Sequence, residues 1–275
     1  MTIDPQTLAR RAGELLEEAR ARRPLVQNVT NFVSMDIAAN ALLALGASPA
    51  MIHAPEETDE FTLLADALVV NVGTLSAPAA ISMERAAAAA RMHGKPWLLD
   101  PVAAGLLSFR DDTIRKLLRH RPSIIRGNAS EIMAMARIAG LTQHDAAPRG
   151  VDNRHQASEA EASAVKLARH CFCAVVATGA IDVVTDGASV VRLGNGSPLA
   201  PRVTALGCSM SSVMGAYLAL TDPFEAALAA TILYGVAGDI AAEGAQGPAS
   251  FRTSFLDTLY SIGAGDLAAR IKVIR

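Results

Sequence analysis

Two apolar runs decide the fold: Leu68-Val69-Val70-Asn71-Val72 and Pro96-Trp97-Leu98-Leu99-Asp100, separated by an alanine-rich amphipathic segment over 78–93. Each run has the length of a buried strand, and each ends on a polar residue. The segment between them has the length and small side chains of a helix that packs closely on a sheet. A strand, a helix and a second strand of this kind form one β-α-β unit of a parallel sheet.

The same alternation extends to both sides. Strands are expected at 25–29, 48–52, 123–126 and 174–177, with helices at 34–45, 56–66, 111–120 and 129–139. Repeated units with short connections predict an α/β domain whose mostly parallel central sheet is covered by helices on both faces. After Thr178 the pattern changes. Two short strands at 181–185 and 189–193 flank Asp186-Gly187, a hairpin signal that predicts an antiparallel end to the sheet. From Gly207 onward the chain reads as almost all helix. The polar segment 142–156 is expected to be a surface loop. No linker divides the chain, so residues 1–275 are read as one domain.

Composition excludes several classes. Among 275 residues, 25 are basic and 27 acidic, with no basic block and only 4% aromatics, so no nucleic-acid partner is expected. The first 23 residues are charged and amphipathic rather than a secretory signal. The longest apolar run, 226–238, is too short to span a bilayer, so no membrane partner is expected. Three cysteines, with poor spacing for a local disulfide or a zinc site, fit a reducing cytoplasm.

Ligands of open parallel sheets bind beyond the carboxyl ends of the strands. That rule selects Asn28, Asn71, Asp100, Arg126 with Asn128, and Thr178 with Gly179. Asp100 suits a hydrated Mg²⁺ or a turn cap. In Arg126-Gly127-Asn128-Ala129-Ser130-Glu131, Asn128 and Glu131 have capping-box spacing. That same geometry brings Glu131 toward Asp100, and Arg126 suits a phosphate oxygen. Thr178-Gly179 is either a phosphate contact or an ordinary turn.

The segment Thr204-Ala205-Leu206-Gly207-Cys208 reads as a tight loop opening a helix of small residues. Its free N–H groups make an anion site, with a cysteine in the opening turn. Cys208 is either a buried structural thiol or a reactive one, since a helix N-terminus lowers a thiol pKa and a neighbouring phosphate raises it.

Several stretches, in order, carry a resemblance that covers most of the chain from about residue 25 to 217. They are Val26-Gln27-Asn28-Val29-Thr30-Asn31, Gly46-Ala47-Ser48-Pro49-Ala50-Met51, Asn71-Val72-Gly73-Thr74-Leu75, Leu99-Asp100-Pro101-Val102, Arg126 to Glu131, and Gly207-Cys208. Together they resemble the hydroxyethylthiazole kinase family of the ribokinase-like superfamily. The resemblance implies a ribokinase-like three-layer sandwich. It implies ATP-dependent phosphorylation of the hydroxyl of 4-methyl-5-(2-hydroxyethyl)thiazole in thiamin salvage. It further implies Cys208 as the catalytic residue, with Met51, Asn28 and the backbone of Ala205 at the thiazole. Arg126 and Thr178 are implied at ATP, and Asp100 and Glu131 at Mg²⁺. The backbone N–H groups of Leu206 and Gly207 would face the transferring phosphoryl. A homotrimer with sites between neighbouring subunits is implied as well. One departure stands out: the family's loop reads Thr-Gly-x-Gly-Cys, and alanine replaces its first glycine at Ala205. Ribokinase relatives also carry an aspartate base where this chain has Cys208.

Three other readings remain at this level. The chain could phosphorylate another small alcohol, of pyrimidine or pyridoxal type. It could be a cysteine hydrolase using Cys208, for which His53 is the one histidine that follows a predicted strand. It could also bind nucleotide as a regulator without chemistry.

Overall fold

The computed structural model describes residues 4–142 and 153–274. In chain order the elements are α1 (Pro5–Arg22), β1 (Leu25–Val29), α2 (Met35–Leu45), β2 (Ser48–Ala50), α3 (Thr58–Leu64), β3 (Ala67–Asn71), α4 (Ala77–Met92), β4 (Trp97–Asp100), α5 (Ser108–Leu118), β5 (Ile124–Asn128), α6 (Ala129–Ile138) and α7 (Asn153–Cys171). There follow β6 (Ala174–Thr178), β7 (Asp182–Thr185), β8 (Val190–Leu193), α8 (Leu206–Leu218), α9 (Pro223–Glu243), α10 (Pro248–Ser261), α11 (Ala264–Arg270) and β9 (Val273–Ile274).

The strands form one nine-stranded sheet in the order β2-β1-β3-β4-β5-β6-β7-β8-β9. Pairings from β2 through β6 are parallel, and those from β6 through β9 are antiparallel. The expected parallel sheet with an antiparallel end is therefore present. Alternate residues of each central strand feed opposite faces, as the pleat requires. Val69, Leu98 and Ile124 join the core under α1, α2, α8, α9 and α10. Leu68, Val70, Leu99 and Ile125 join the core under α4, α5, α6 and α7. The result is a three-layer α/β/α sandwich.

Local chemistry sets the helix starts. Asp4 and Asp222 cap α1 and α9 with proline next in line, and Ser76 caps α4. Asn128 and Glu131 form the expected capping box on α6. The small residues of α8 let it lie close on the sheet: a Cβ at Gly215 would sit 2.5 Å from Val69 Cγ2 and 3.1 Å from Val26 Cγ1.

Several boundaries differ from expectation. β2 stops at Ala50 rather than residue 52, because it is an edge strand with a proline at its centre and pairs only with β1. α3 is shorter than 56–66: Ala65 turns extended, and Asp66 instead accepts a hydrogen bond from Leu25 N at 2.8 Å. β9 adds a strand after the helical run, hydrogen-bonded to β8, where no strand was expected. The apolar run 226–238 lies inside α9, whose 21 residues are long and apolar enough to cross a membrane. Most of α9 is buried among α1, α8 and α10, which makes it the core helix of the sandwich. The loop expected over 142–156 falls largely outside the described residues, and its last part is helical, since α7 begins at Asn153.

Candidate active site

The carboxyl ends of β1, β3, β4, β5 and β6 lie side by side, and α8 begins over them. Ala205, the N-cap of α8, adopts φ 61° and ψ 12°, the left-handed conformation that favours glycine. The alanine therefore keeps the glycine geometry at a cost of about 1 kcal/mol. Beyond it, the N–H groups of Gly207 and Cys208 meet no acceptor among the described residues. Leu206 N differs from expectation, because it already donates to Val203 O at 3.4 Å. The open donors of this helix end are thus Gly207 and Cys208.

Arg126 lies directly beneath. A Cβ at Gly207 would stand 3.1 Å from both Nη1 and Nη2 of Arg126, so the backbone rests against the guanidinium and a larger residue would push it back by a few tenths of an ångström. Arg126 is 9% exposed, donates from Nη2 to Thr178 Oγ1 at 3.0 Å, and has an unpartnered Nε. Thr178 Oγ1 in turn donates to Gly127 O at 3.2 Å. A buried guanidinium under a positive helix end is electrostatically unfavourable unless an anion joins them. Asp100 neutralises it only in part, at 3.9 Å from Nη1.

Asp100 closes β4 and is fully buried. Its Oδ2 accepts from Asn71 Nδ2 at 2.8 Å and from Ser211 Oγ at 2.7 Å, while Oδ1 has no partner. Burial pushes its carboxyl up to about 6; Arg126 opposes this shift and Glu131 adds to it. Glu131 is committed through both oxygens, to Ala103 N at 2.9 Å and Asn128 N at 2.8 Å. No cluster of three or more His, Cys, Asp or Glu that could hold a metal occurs among the described residues. The free buried oxygen of Asp100 fits a divalent ion that keeps most of its water, as Mg²⁺ does, and Glu131, with both oxygens taken, could join only through such water.

Cys208 sits in the first turn of α8, half-buried, and its Sγ accepts from Asn31 Nδ2 at 3.5 Å. Burial pushes the thiol up and Asp100 pushes it further, while Asn71, Asn31 and Arg126 pull it back. Burial and Asp100 thus outweigh the groups that favour the thiolate. The partners of Cys208 are amides, and no histidine hydrogen-bonds to it among the described residues. His53 instead meets Met51 O at 3.2 Å and the Phe32 ring at 6.2 Å.

The remaining expected residues spread along the same edge. Asn28 is fully buried beneath α8: Nδ2 donates to Val26 O at 3.0 Å and Oδ1 accepts from Ser212 Oγ at 2.7 Å. It does not project past the strand end as expected, because Ser212 captures it. Met51 is half-buried past the end of β2, three strands from β4, or about 14 Å across the sheet. Four residues escaped the sequence reading: Asn31, Ser211, Ser212 and Asp182. Asp182 accepts from Gly179 N at 2.9 Å, and burial pushes its carboxyl up to about 6. The serines had a readable signal, since Cys208, Ser211 and Ser212 share one helix face by their spacing of three and four.

A model of the hydroxyethylthiazole kinase family matches residues 16–264. The chain belongs to that family. A hydroxyethylthiazole kinase of Rhizobium leguminosarum bv. trifolii is 49% identical over 263 residues, covering 95% of this chain and 96% of its own length. The solved hydroxyethylthiazole kinase protein of Pyrococcus horikoshii superposes with a TM-score of 0.88 at 39% identity, covering 96% of this chain and 98% of that one. Pyridoxal kinase of Staphylococcus aureus, in complex with AMP-PCP and pyridoxal, shares the fold at a TM-score of 0.58 and 15% identity, covering 79% and 88%. The family membership and the sandwich together make the chain a phosphotransferase of ribokinase-like architecture.

Proposed function

We propose that this chain transfers the γ-phosphoryl group of ATP to the hydroxyl of 4-methyl-5-(2-hydroxyethyl)thiazole, a step of thiamin salvage. The observation that carries the reading is the convergence of the Gly207 and Cys208 N–H groups with the Arg126 guanidinium and the free oxygen of Asp100. Phosphoryl transfer is mostly positioning and charge stabilisation, and a helix end over an arginine supplies both.

In this reading Arg126 and Thr178 hold the triphosphate. Asp182 fixes the turn at Gly179 against which it lies. Gly207 and Cys208 N–H groups receive the charge that builds on the transferring phosphoryl, and the Ala205 backbone shapes the acceptor side. Cys208 places its sulfur beside the acceptor hydroxyl. A thiol held neutral by burial and by Asp100 is a weak base, which suits a transition state with little deprotonation of the nucleophile. Asp100 and Glu131 would hold Mg²⁺ through water, and the ion would supply charge neutralisation along the phosphates. Asn28 acts through α8, which it ties to β1.

Met51, with its soft thioether, serves the thiazole ring. Its distance from β4 within one chain favours a site completed by a neighbouring copy, and the homotrimer is the arrangement that the family resemblance implies. The exposed Phe32 and Val33, at 65% and 56%, supply apolar surface beside the opening. A monomeric mass by light scattering would sink that arrangement. The chain is read as one domain acting in the cytoplasm, where its free cysteines stay reduced.

The deciding experiment is ATP consumption with a panel of the thiazole alcohol, hydroxymethylpyrimidine and pyridoxal. The thiazole alcohol is expected to give the highest kcat/KM. Preference for either other ring would reassign the substrate, and no turnover with any of them would remove the kinase reading.

A further inference from the structure

Asn31 lies in the turn between β1 and α2, and its amide has only one possible orientation. Its Oδ1 accepts from the backbone N–H groups of Val33 at 3.1 Å and Ser34 at 3.0 Å. Those groups can only donate, so the carbonyl end must face them and the NH₂ must face the other way. That NH₂ donates to Asn71 Oδ1 at 2.9 Å and to Cys208 Sγ at 3.5 Å. Asn71 is oriented by the same logic. Gly73 N donates to its Oδ1 at 3.0 Å, so its own NH₂ points to Asp100 Oδ2. Both asparagines are buried, at 5% and 1% exposure. The backbone of Gly73 presses on the first of them, since a Cβ there would lie 2.8 Å from Asn31 Cβ and Nδ2.

We propose that Asn31 is a positioning residue for Cys208, whose locked NH₂ holds the sulfur as a hydrogen-bond acceptor and turns its proton away from β1. The proposal rests on the catalytic placement of Cys208 given above. The charged groups that act on the sulfur are Asp100 from β4 and Arg126 from β5, and Asn71 is a second amide beside it. The NH₂ of Asn71 is taken by Asp100, so the NH₂ of Asn31 is the neutral donor left to fix the sulfur's direction. Without Asn31 the sulfur is free to rotate out of line with the acceptor hydroxyl. It also loses a donor that favours the thiolate.

Two variants of the full chain separate this role from the turn that Asn31 also caps. Asn31→Asp keeps both acceptors for Val33 and Ser34 but offers the sulfur an oxygen. Asn31→Ser keeps a hydroxyl able to accept from Ser34 N–H but too short to reach Cys208. Each is expected to lower kcat by roughly tenfold or more, with KM for ATP changed by less than about twofold. In a Cys208→Ala background, Asn31→Ser is expected to cause no further loss. Alkylation of Cys208 by iodoacetamide, followed on its own peptide by mass spectrometry, is expected to show its pH midpoint raised by about one unit in both variants. Equal losses of kcat with and without Cys208, together with an unmoved midpoint, would overturn the proposal and leave Asn31 a turn residue. Should Cys208→Ala itself turn over normally, the catalytic reading of Cys208 falls. The midpoint then still decides whether Asn31 holds the sulfur.

Discussion

Left-handed non-glycine residues occur at both ends of the parallel strands, and the two sets do different things. At the amino ends, Arg23, Arg121 and Phe172 follow α1, α5 and α7 and turn the chain into β1, β5 and β6. Their side chains go to solvent; Phe172 is 89% exposed. At the carboxyl ends stand Thr74, Ala103 and Ala205. Thr74 Oγ1 accepts from Phe32 N, Ala103 N donates to Glu131, and Ala205 starts α8 over Arg126. The same backbone strain ends helices on one side and aims polar groups on the other. Strain of about 1–3 kcal/mol per residue persists only where the surroundings enforce it, so its pairing with function must be shown by the partners each residue meets.

The sharpest way to break this comparison is within one strand and the turn before it. Arg126→Ala, at the carboxyl side, is expected to lower kcat/KM by roughly 10²–10³-fold. Arg121→Ala, at the amino end, should leave it within about twofold, as exposed substitutions do. Similar losses in steady-state assays would erase the functional distinction between the ends.

Asp100 sharpens it next. Folded, this carboxyl keeps its proton up to about 6, against 3.8 in the open chain. Between those values the folded state holds more protons, so the stability this group contributes is lost as pH rises through that window. Asp100→Asn removes the costly charge while an oxygen can still accept from Asn71 and Ser211. It is expected to raise Tm at pH 7.5 by about 3 °C or more, with activity largely gone. A lower Tm in calorimetry would mean that the charge is compensated by Arg126 after all.

The smallest effects come from relieving the strain itself. Ala205→Gly and Phe172→Gly each put a glycine where the backbone is left-handed. Relief of roughly 1–2 kcal/mol of strain, less the roughly 0.4–1 kcal/mol that glycine's freer unfolded chain costs, should leave each a net gain of about 0.5 kcal/mol in denaturant unfolding. Only Ala205→Gly should also change KM for the acceptor alcohol. A matching shift from Phe172→Gly would contradict the division of labour.

The sandwich was legible because buried strands and amphipathic helices differ in period, and six parallel strands repeat that contrast. The antiparallel end was legible through Asp186-Gly187. β9 was not, because two residues carry no period and pair only through tertiary contact with β8. Within the site, Asp100, Arg126 and Thr178 were visible as polar residues closing apolar runs. Asn28 looked alike in sequence but differs in space, since Ser212 takes its carbonyl end and Val26 O its NH₂. Asn31 and Ser211 matter through partners 40 and 111 residues away, and nothing local announces such pairings.

Gly215 has a consequence that reaches well beyond its own contact with Val69 and Val26. It sits two helical turns, about 10 Å, from Cys208 along the rigid rod of α8. A single methyl group there would act as a wedge under the far end of a lever, tilting the tip that the proposed function turns toward the phosphoryl group while touching no ligand. Evolution can therefore throttle this catalyst from the middle of its core, and a search for its tuning positions should begin among its smallest buried residues.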